Sequence, residues 1–426
     1  MKISKAYCAY EYEKFMHSFG FKGSCLTGAW QVAVAVCSEE ECGIGLGIQS
    51  PLWSDSDVFA KYGEEKSSRL MYEITKFAVY AIKGVEKETP KEITNEIFED
   101  CYKFAKKIVG MEITETFVLN ALVPVDNALW MLWAREQGIK NFDSLYKGTG
   151  KADKLANIPL ITYSTSIDEV VKMAQDGVCI FKIKLGADPD GDGNLDKMLE
   201  WDKARAKEIH NSLKDISTPY TESSKAVYYF DANGRYDTKE RLCELLDFLD
   251  KENILPQTIL FEEPFAPDNK IYVGDLPACF AADESAHSLK DVEERIKLGY
   301  KAITLKPIAK TLSVTIDMAN TAQKFGVQCF CADLTVNPVM VEWNKNFASR
   351  LTPLKGMKIG VVESNGGQNY VNWKEMKTYL PINIENGDNE TIYNLDEGFY
   401  NDGMIFEIPI HYTELIKKQN NLSELI

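Results

Sequence analysis

The chain has 426 residues, of which 45% are hydrophobic and 26% are charged, and its formal net charge is −16. This length and apolar content predict a large core that is divided between more than one domain. The strongly negative charge argues against nucleic acid or an anionic membrane surface as the main partner. No run in the sequence reaches the roughly 18 uninterrupted apolar residues of a membrane span.

The cysteine distribution favours reduced thiols. Most of the ten cysteines lie in apolar runs such as VAVAVC, GVCIF and CFCAD. The first residues, MKISKAYCAY, contain no apolar signal segment. We therefore expect reduced core thiols and a cytoplasmic location, rather than the disulfide framework of a secreted protein.

Residues 1–125 are predicted to form an α+β domain. Residues 30–48, WQVAVAVCSEEECGIGLGI, have the pattern of two strands around an acidic turn. Residues 64–83 and 91–109 carry apolar side chains at helical spacing, which predicts two helices. Residues 113–138 include ALVPVDNALWMLWAREQG, a long and strongly apolar helix that would join this domain to the next.

The pattern changes from about residue 158, where strand and helix signals begin to alternate. The intervening stretches are mostly amphipathic, as in residues 289–298 and 312–325. Strands are predicted near residues 159–165, 179–185, 227–232, 258–263, 279–284, 302–307, 328–333 and 358–363. Eight repeats favour an α/β fold with a closed parallel barrel over residues 126–380. Residues 381–426 are too irregular for another unit, and we expect them to pack back on the first domain.

Five of the predicted strands end in a charge. The runs FKIKLG, YYFDANG, LFEEP, AADES and ITLKP place Lys184, Asp231, Glu262, Asp283 and Lys306 at successive steps of 47, 31, 21 and 23 residues. Each step is about the length of one strand plus one helix. Polar side chains at the C-terminal ends of barrel strands open into the active site. Three carboxylates between two lysines therefore indicate a divalent cation with a base on either side.

The three carboxylates suit a reaction that creates negative charge. Removal of a proton next to a carboxylate produces a dianionic enediolate, so the site must supply concentrated positive charge. Asp231, Glu262 and Asp283 offer the oxygen ligands that Mg²⁺ prefers, with Mn²⁺ as the alternative ion. We therefore predict one bound divalent cation.

The lysines are predicted to be the bases. Lys182 and Lys184 are two residues apart on one strand, so both point into the barrel. Their mutual repulsion, together with the cation, is expected to lower the pKa of one of them toward neutrality. Lys306 lies four strands further on, so it would reach the opposite face of the substrate.

These motifs together resemble the enolase superfamily, specifically its muconate-lactonizing subgroup, which includes dipeptide epimerases and o-succinylbenzoate synthases. The matching pieces run from about residue 30 to 372: the DNALWMLWAREQG helix, KIK, DAN, EEP, ADES and ITLK. The resemblance implies an N-terminal capping domain completed by the C-terminal segment, and a modified barrel, (β/α)7β, that lacks its last helix. The Lys and Mg²⁺ assignment is the pattern known for this superfamily.

Substrate contacts are predicted at the seventh and eighth strands. Dipeptide epimerases of the family carry Asp-x-Asp at the eighth strand, where it grips the amino group of the substrate. This chain has Glu363 and Asn365 at the matching places. Asp333 at the seventh strand and Lys182 are further candidate contacts. The family's glycine pair after the sixth-strand lysine is replaced here by PIAKTLS.

Three aromatic residues are predicted to overhang the site from loops of the first domain, where they would tune substrate preference or pack the cap against the barrel. They are Phe19, Phe21 and Trp53.

Several charged neighbours are expected to lie outside the site. Strand alternation predicts that Glu263 and Glu284 point away from the barrel interior. Lys310 follows Pro307 and is expected to be solvated. The run DPDGDGNLD at residues 188–196 imitates the start of an EF-hand loop, but its twelfth position is Leu199 and a strand precedes it. We predict an acidic loop there and leave cation binding open.

The sequence therefore predicts a Mg²⁺-dependent racemase or epimerase of an N-substituted amino acid or dipeptide, similar to L-Ala-D/L-Glu epimerases. The substrate would be a small-molecule carboxylate, and a homo-oligomer stays open. The enzymatic alternatives are o-succinylbenzoate synthase or a cycloisomerase. Sugar-acid dehydration is disfavoured because none of the four histidines lies at the seventh strand. The non-enzymatic alternative is a scaffold that calcium stabilises through the 188–196 loop.

Overall fold

The computed structural model describes residues 1–21, 24–380, 391–402 and 405–425. The N-terminal part contains a three-stranded antiparallel sheet in the order β1-β2-β3. Its strands are β1 (Lys5–Phe21), β2 (Ser24–Cys37) and β3 (Cys42–Gln49). The sequence predicted the second and third strands but not β1, whose alternating polar side chains do not form an apolar run.

Four helices complete this part. They are α1 (Pro51–Ser54), α2 (Ser56–Ala81), α3 (Pro90–Val109) and α4 (Glu115–Glu136). A capping box between Thr89 and Glu92 begins α3, and Gly110 in the left-handed conformation ends it. The sequence predicted α2 and α3 from apolar spacing and α4 from its long apolar run. It missed the short α1 and the start of α2, which begins at Ser56 and not at residue 64.

Helix α4 packs against β3 at very short range. The strand sequence CGIGLGIQ places glycines on one face, and a Cβ atom at Gly45 would lie 2.1 Å from the backbone nitrogen of Ala128. Within the described residues, α4 is the one helix that is long and apolar enough to cross a membrane, and 94% of its apolar window is buried inside the protein. Its apolar character is therefore accounted for by burial in the core.

One disulfide bond corrects the prediction of reduced thiols. Cys37 and Cys42 are bonded to each other at the β2–β3 turn, where they are paired residues of neighbouring antiparallel strands. Eight cysteines remain free, and they include buried residues such as Cys101, Cys179 and Cys331. Composition could not separate this pair from the others, because a disulfide depends on the strand register that brings two Cα atoms together.

The second sheet has ten strands, in the order β13-β4-β12-β11-β10-β9-β8-β7-β6-β5. They are β4 (Lys154–Ile158), β5 (Leu160–Ile161), β6 (Ile180–Lys184), β7 (Val227–Asp231), β8 (Thr258–Glu262), β9 (Phe280–Ala282), β10 (Ala302–Leu305), β11 (Gln328–Cys331), β12 (Gly360–Glu363) and β13 (Ile392–Asn394). The paired strands are parallel except for β13, which runs antiparallel to β4. Only Pro159 separates β4 from β5, so the two ends of the parallel sheet meet in one segment.

Helices follow most of these strands. They are α5 (Ile167–Gln175), α6 (Leu195–Leu213), α7 (Lys239–Lys251), α8 (Leu289–Lys297), α9 (Leu312–Lys324), α10 (Pro338–Ala348), α11 (Gly366–Asn369), α12 (Trp373–Lys377), α13 (Glu397–Asp402) and α14 (Ile410–Asn420). Two 3-10 turns lie at Phe142–Ser144 and Leu255–Gln257. Between β8 and β9 the described chain contains no helix.

The C-terminal part returns to both sheets. Strand β13 extends the parallel sheet beside β4. Helix α14 lies on β1, where the side-chain amide of Gln419 accepts from the backbone N–H of Tyr10 and donates to its carbonyl oxygen. This pair occupies backbone groups that the strand would otherwise leave open, which limits edge-to-edge association at that point.

Candidate active site

The register of the parallel strands brings the predicted charges together. Lys184 pairs with Asp231 on the neighbouring strand, and Asp231 pairs with Glu262 on the next. All three lie at the C-terminal ends of their strands. Asp283 directly follows β9, and Lys306 directly follows β10. The carboxyl ends of these strands thus form one edge, as the spacing in the sequence indicated.

A cavity opens at this edge. Its polar wall contains Lys182, Lys184, Asp231, Asn233, Asp283, Lys306, Asp333, Glu363 and Asn365. The other wall is apolar. Its residues come from the N-terminal part (Phe15, Leu26, Ala29, Ile48 and Trp53) and from the part with the parallel sheet (Leu160 and Leu334). Of the nine residues with predicted site roles, all but Glu262 line this cavity, and Glu262 lies buried beside it.

Lys182 is surrounded by carboxylates rather than opposed by its neighbouring lysine. Its Nζ atom lies 3.1 Å from Asp231, 3.3 Å from Glu262 and 3.1 Å from Glu363. Burial alone would lower the pKa of Lys182, but these carboxylates outweigh burial and raise it well above its usual value. The sequence did not show how many acidic groups converge on Lys182. The lowered pKa of one lysine was predicted for the site with its cation bound, and it stays a prediction.

Lys184 contacts the same oxygen of Asp231 as Lys182 does. It donates to Asp231 Oδ2 and to Asn233 Oδ1, both at 2.6 Å. Burial would raise the pKa of Asp231, but Lys184 and Lys182 together lower it to about 2. This carboxylate therefore stays ionised and is held by two ammonium groups.

Lys306 faces the same cavity from β10. It donates to Asp283 Oδ2, and its Nζ atom lies 4.3 Å from the centre of the Trp53 ring. Burial would lower the pKa of Lys306, but the Asp283 carboxylate raises it. Lys184 and Lys306 thus enter the cavity from strands that are four positions apart in the sheet.

A tight carboxylate group lies between the lysines. One oxygen from each of Glu262, Asp283 and Glu284 lies within 4.8 Å of the others, and all three residues are buried. Burial raises the pKa of Glu262 to about 7, although Lys182 opposes the rise. Three carboxylate oxygens at this spacing are a donor set that fits Mg²⁺ or Mn²⁺.

This group differs from the predicted ligand set. It includes Glu284, which was expected to point away, while Asp231 lies beside it and contacts the two lysines instead. Strand β9 ends at Ala282, so the alternation rule no longer applies to Glu284. Its carboxylate accepts from Asn233 Nδ2 at 2.8 Å, which ties it to the strand that carries Asp231.

Glu263 is buried and does not face solvent. Its φ angle of +40° turns the chain sharply after β8, and its carboxylate accepts from the backbone of Asp283 at 2.7 Å. It also accepts from the backbone and hydroxyl of Ser285. Glu263 therefore holds the loop that carries Asp283 and Glu284.

Lys310 is the clearest residue that the sequence misplaced. It was expected to be solvated, yet it is fully buried and its Nζ atom donates to the carbonyl oxygen and to Oδ1 of Asp283. The turn after β10 directs it back toward the strand end. No residue pattern in PIAKTLS indicated this direction.

The predicted substrate contacts form a connected group. Glu363 Oε2 accepts from Lys182 and from the backbone N–H of Asp333. The backbone N–H of Asn365 donates to Asp333 Oδ2, and its Nδ2 group donates to Glu363. Burial and the nearby Glu363 raise the pKa of Asp333 to about 7. Asn365 Oδ1 is buried and has no hydrogen-bond partner among the described residues.

The predicted overhanging residues have different outcomes. Trp53 lines the cavity from α1. The side chains of Phe19 and Phe21 lie outside the described residues.

The acidic loop at residues 188–196 is neutralised internally. Lys197 Nζ lies 2.5 Å from Asp190 and 2.7 Å from Asp192. Asp188 accepts from the backbone N–H groups of Gly191 and Gly193. An ammonium group therefore lies between two of the carboxylates that an EF-hand would use, which argues against the calcium-stabilised scaffold.

No family model and no curated protein matches this chain. Solved structures do match. A dipeptide epimerase from Enterococcus faecalis V583, complexed with Mg and L-Leu-L-Tyr, has a TM-score of 0.66 at 16% identity and covers 95% of this chain and 99% of its own. An N-succinyl Arg/Lys racemase from Bacillus cereus ATCC 14579 has a TM-score of 0.68 at 15% identity over 98% of both chains.

A muconate lactonizing enzyme from "Mucobacterium Smegmatis" gives a TM-score of 0.62 at 16% identity and covers 96% of this chain and 97% of its own. At these identities the likeness establishes the fold. It confirms the predicted resemblance to the muconate-lactonizing subgroup at that level.

Proposed function

We propose that this chain, which has the fold of the muconate-lactonizing group of the enolase superfamily, is a Mg²⁺-dependent racemase or epimerase of N-substituted α-amino acids. One observation carries the proposal: Lys184 and Lys306 enter one cavity from different strands, with the carboxylate group between them. The proposal also includes a (β/α)7β barrel, domain boundaries at residues 125 and 380, and a cytoplasmic location.

The reaction would be a proton transfer at the α-carbon of a carboxylate substrate. One lysine in its neutral form takes the α-proton, and the ammonium form of the other returns a proton to the opposite face. Mg²⁺, held by Glu262 and Asp283 with Glu284 or Asp231, would supply positive charge for the developing enediolate. The apolar wall of the cavity would exclude water and so strengthen each charge interaction.

The eighth strand favours a neutral amide over a free amino group. A substrate ammonium group would need an unshared carboxylate, but Glu363 is already held by Lys182 at 3.1 Å. Asn365 instead presents the buried amide oxygen Oδ1, which suits the N–H donor of an N-acyl group. This arrangement supports N-acyl amino acids, the kind of substrate named for the Bacillus racemase, over dipeptides such as the one bound by the Enterococcus epimerase.

Deuterium exchange with single-lysine variants tests the proposal. In D₂O, Lys306→Ala should lose racemisation by about 10²–10⁴-fold, yet still let Lys184 exchange the α-proton of one enantiomer. Lys184→Ala should exchange only the other enantiomer. The substrates are matched pairs of N-acyl amino acids and dipeptides with the same α-carbon substituent, followed by NMR.

Exchange of both enantiomers by Lys306→Ala would refute the two-base mechanism. A synthase or cycloisomerase would use one lysine chiefly as base, so loss of exchange in only one variant, with no racemisation by the wild type, would favour those alternatives. A strong preference for dipeptides would refute the assignment to N-acyl substrates while leaving the two-base mechanism intact.

A further inference from the structure

Lys310 holds one of the two oxygens of Asp283. Its Nζ atom lies 3.0 Å from Asp283 Oδ1 and 2.8 Å from the carbonyl oxygen of the same residue. Lys306 donates to the other oxygen, Oδ2. Two different lysines thus bind the two oxygens of one buried carboxylate. One of them, Lys306, lines the cavity, whereas Lys310 contacts Asp283 from beside it.

The backbone after β10 is folded so that Lys310 can make these contacts. The N–H groups of Ala309 and Lys310 both donate to the carbonyl oxygen of Lys306, which turns the chain back on itself. Thr311 then has φ +67° and ψ 154°, a conformation that residues other than glycine rarely adopt. The Thr311 hydroxyl accepts from Val314 N and begins α9, which fixes this turn. The fold therefore maintains an unfavourable backbone conformation next to a buried charge.

Lys310 also adds a positive charge next to the group of three carboxylates. Burying an ammonium group is costly unless it is paired, and Lys310 is fully buried. Its charge is added to a site in which Glu262, Asp283 and Glu284 converge and in which a divalent cation would bind. An ammonium group that is hydrogen-bonded to one of these carboxylates repels the cation at short range.

We infer that Lys310 is a positioning residue that holds Asp283 with Oδ2 toward Lys306 and that reduces the affinity of the carboxylate group for its divalent cation. The inference rests on the cation site in the proposed function. It assigns to Lys310 a role that concerns Asp283 and the ion, not direct contact with the substrate.

Isothermal titration of Mg²⁺ into the wild type, Lys310→Met and Lys310→Gln tests the inference. Both variants remove the charge, so both should bind Mg²⁺ at least about tenfold more tightly. Glutamine can still donate to the Asp283 carbonyl oxygen, so Lys310→Gln should keep more α-proton exchange than Lys310→Met. The control is Lys345→Met, which removes another buried lysine, paired with Glu342 at 2.9 Å on α10, and should leave Mg²⁺ affinity unchanged.

Unchanged Mg²⁺ affinity in both Lys310 variants would overturn the inference, and so would equal tightening in Lys345→Met. If Lys310→Met fails to fold, Lys310→Gln alone decides the charge effect. If the wild type binds no Mg²⁺, the proposed function itself fails, and that result differs from one in which the wild type binds and the Lys310 variants match it.

Discussion

Replacing Lys182 with methionine should destabilise the protein far more than the loss of a surface ion pair. The Lys182 side chain is 4% exposed, and its three carboxylate partners are 0–3% exposed at distances of 3.1–3.3 Å. Methionine fills a similar volume but leaves those carboxylates without a shared cation. Removing one partner of a buried ion pair costs about 3–5 kcal/mol, so we expect the free energy of unfolding to fall by that amount.

The loss of unfolding free energy in Lys182→Met should depend on pH. The pKa of Glu262 is already raised to about 7 in the wild type, and losing Lys182 would raise it further. A carboxyl group with a raised folded-state pKa binds its proton more tightly in the folded state, so stability falls as the pH rises from its unfolded to its folded pKa. The deficit of Lys182→Met should therefore be larger at about pH 8 than at about pH 5.

Urea unfolding in EDTA measures this deficit, and adding Mg²⁺ should reduce it because the ion replaces part of the missing charge. The control is Lys76→Met, which removes an exposed pair with Glu73 and should cost less than about 1 kcal/mol. A deficit as small as that of the control, or one that is equal at both pH values, would refute the reasoning about a shared buried cation.

Two further predictions concern the cation and the apolar wall. Asp283→Asn or Glu262→Gln should abolish Mg²⁺ binding in calorimetry and abolish activity, since each removes one charged oxygen donor from the group. Full activity of EDTA-treated wild type would contradict this. Trp53→Phe should change relative kcat/KM across substrates of different side-chain size more than it changes Mg²⁺ affinity, because Trp53 lines the cavity. Unchanged relative kcat/KM would mean that Trp53 only packs the two parts together.

The strand-end charges were predictable because neighbouring parallel strands place their C-terminal ends side by side. Lys184, Asp231 and Glu262 lie within or at the end of strands that pair in register, so spacing along the sequence converts directly into neighbours in space. Side-chain alternation along a strand explains why Lys182 and Lys184 share a face. The first strand was predicted several residues too late, near 159–165. The structure has two strands there, Lys154–Ile158 and Leu160–Ile161, one on each side of Pro159, and the prediction included only the residues that follow the proline.

Strand pairing and side-chain alternation apply only within a strand, and the wrong predictions concern residues beyond the strand ends. Glu284 and Lys310 follow β9 and β10, and the directions of their side chains depend on turns that the sequence does not specify. The Glu263 carboxylate fixes the first turn through the backbone of Asp283, and the left-handed Thr311 fixes the second. Both turns bring charge toward Asp283.

Asp283 therefore accepts from Lys306 on one oxygen and from Lys310 on the other, while a third contact holds its backbone. Burial raises the pKa of an isolated carboxyl group, yet these lysines keep the pKa of Asp283 far below its usual range. An ionised carboxylate in a buried site suits a ligand for a hard cation and does not suit a proton carrier. In the proposed mechanism, proton transfer is then carried out by the lysines, and the loops after β9 and β10, which the sequence could not predict, hold the cation ligand apart from them.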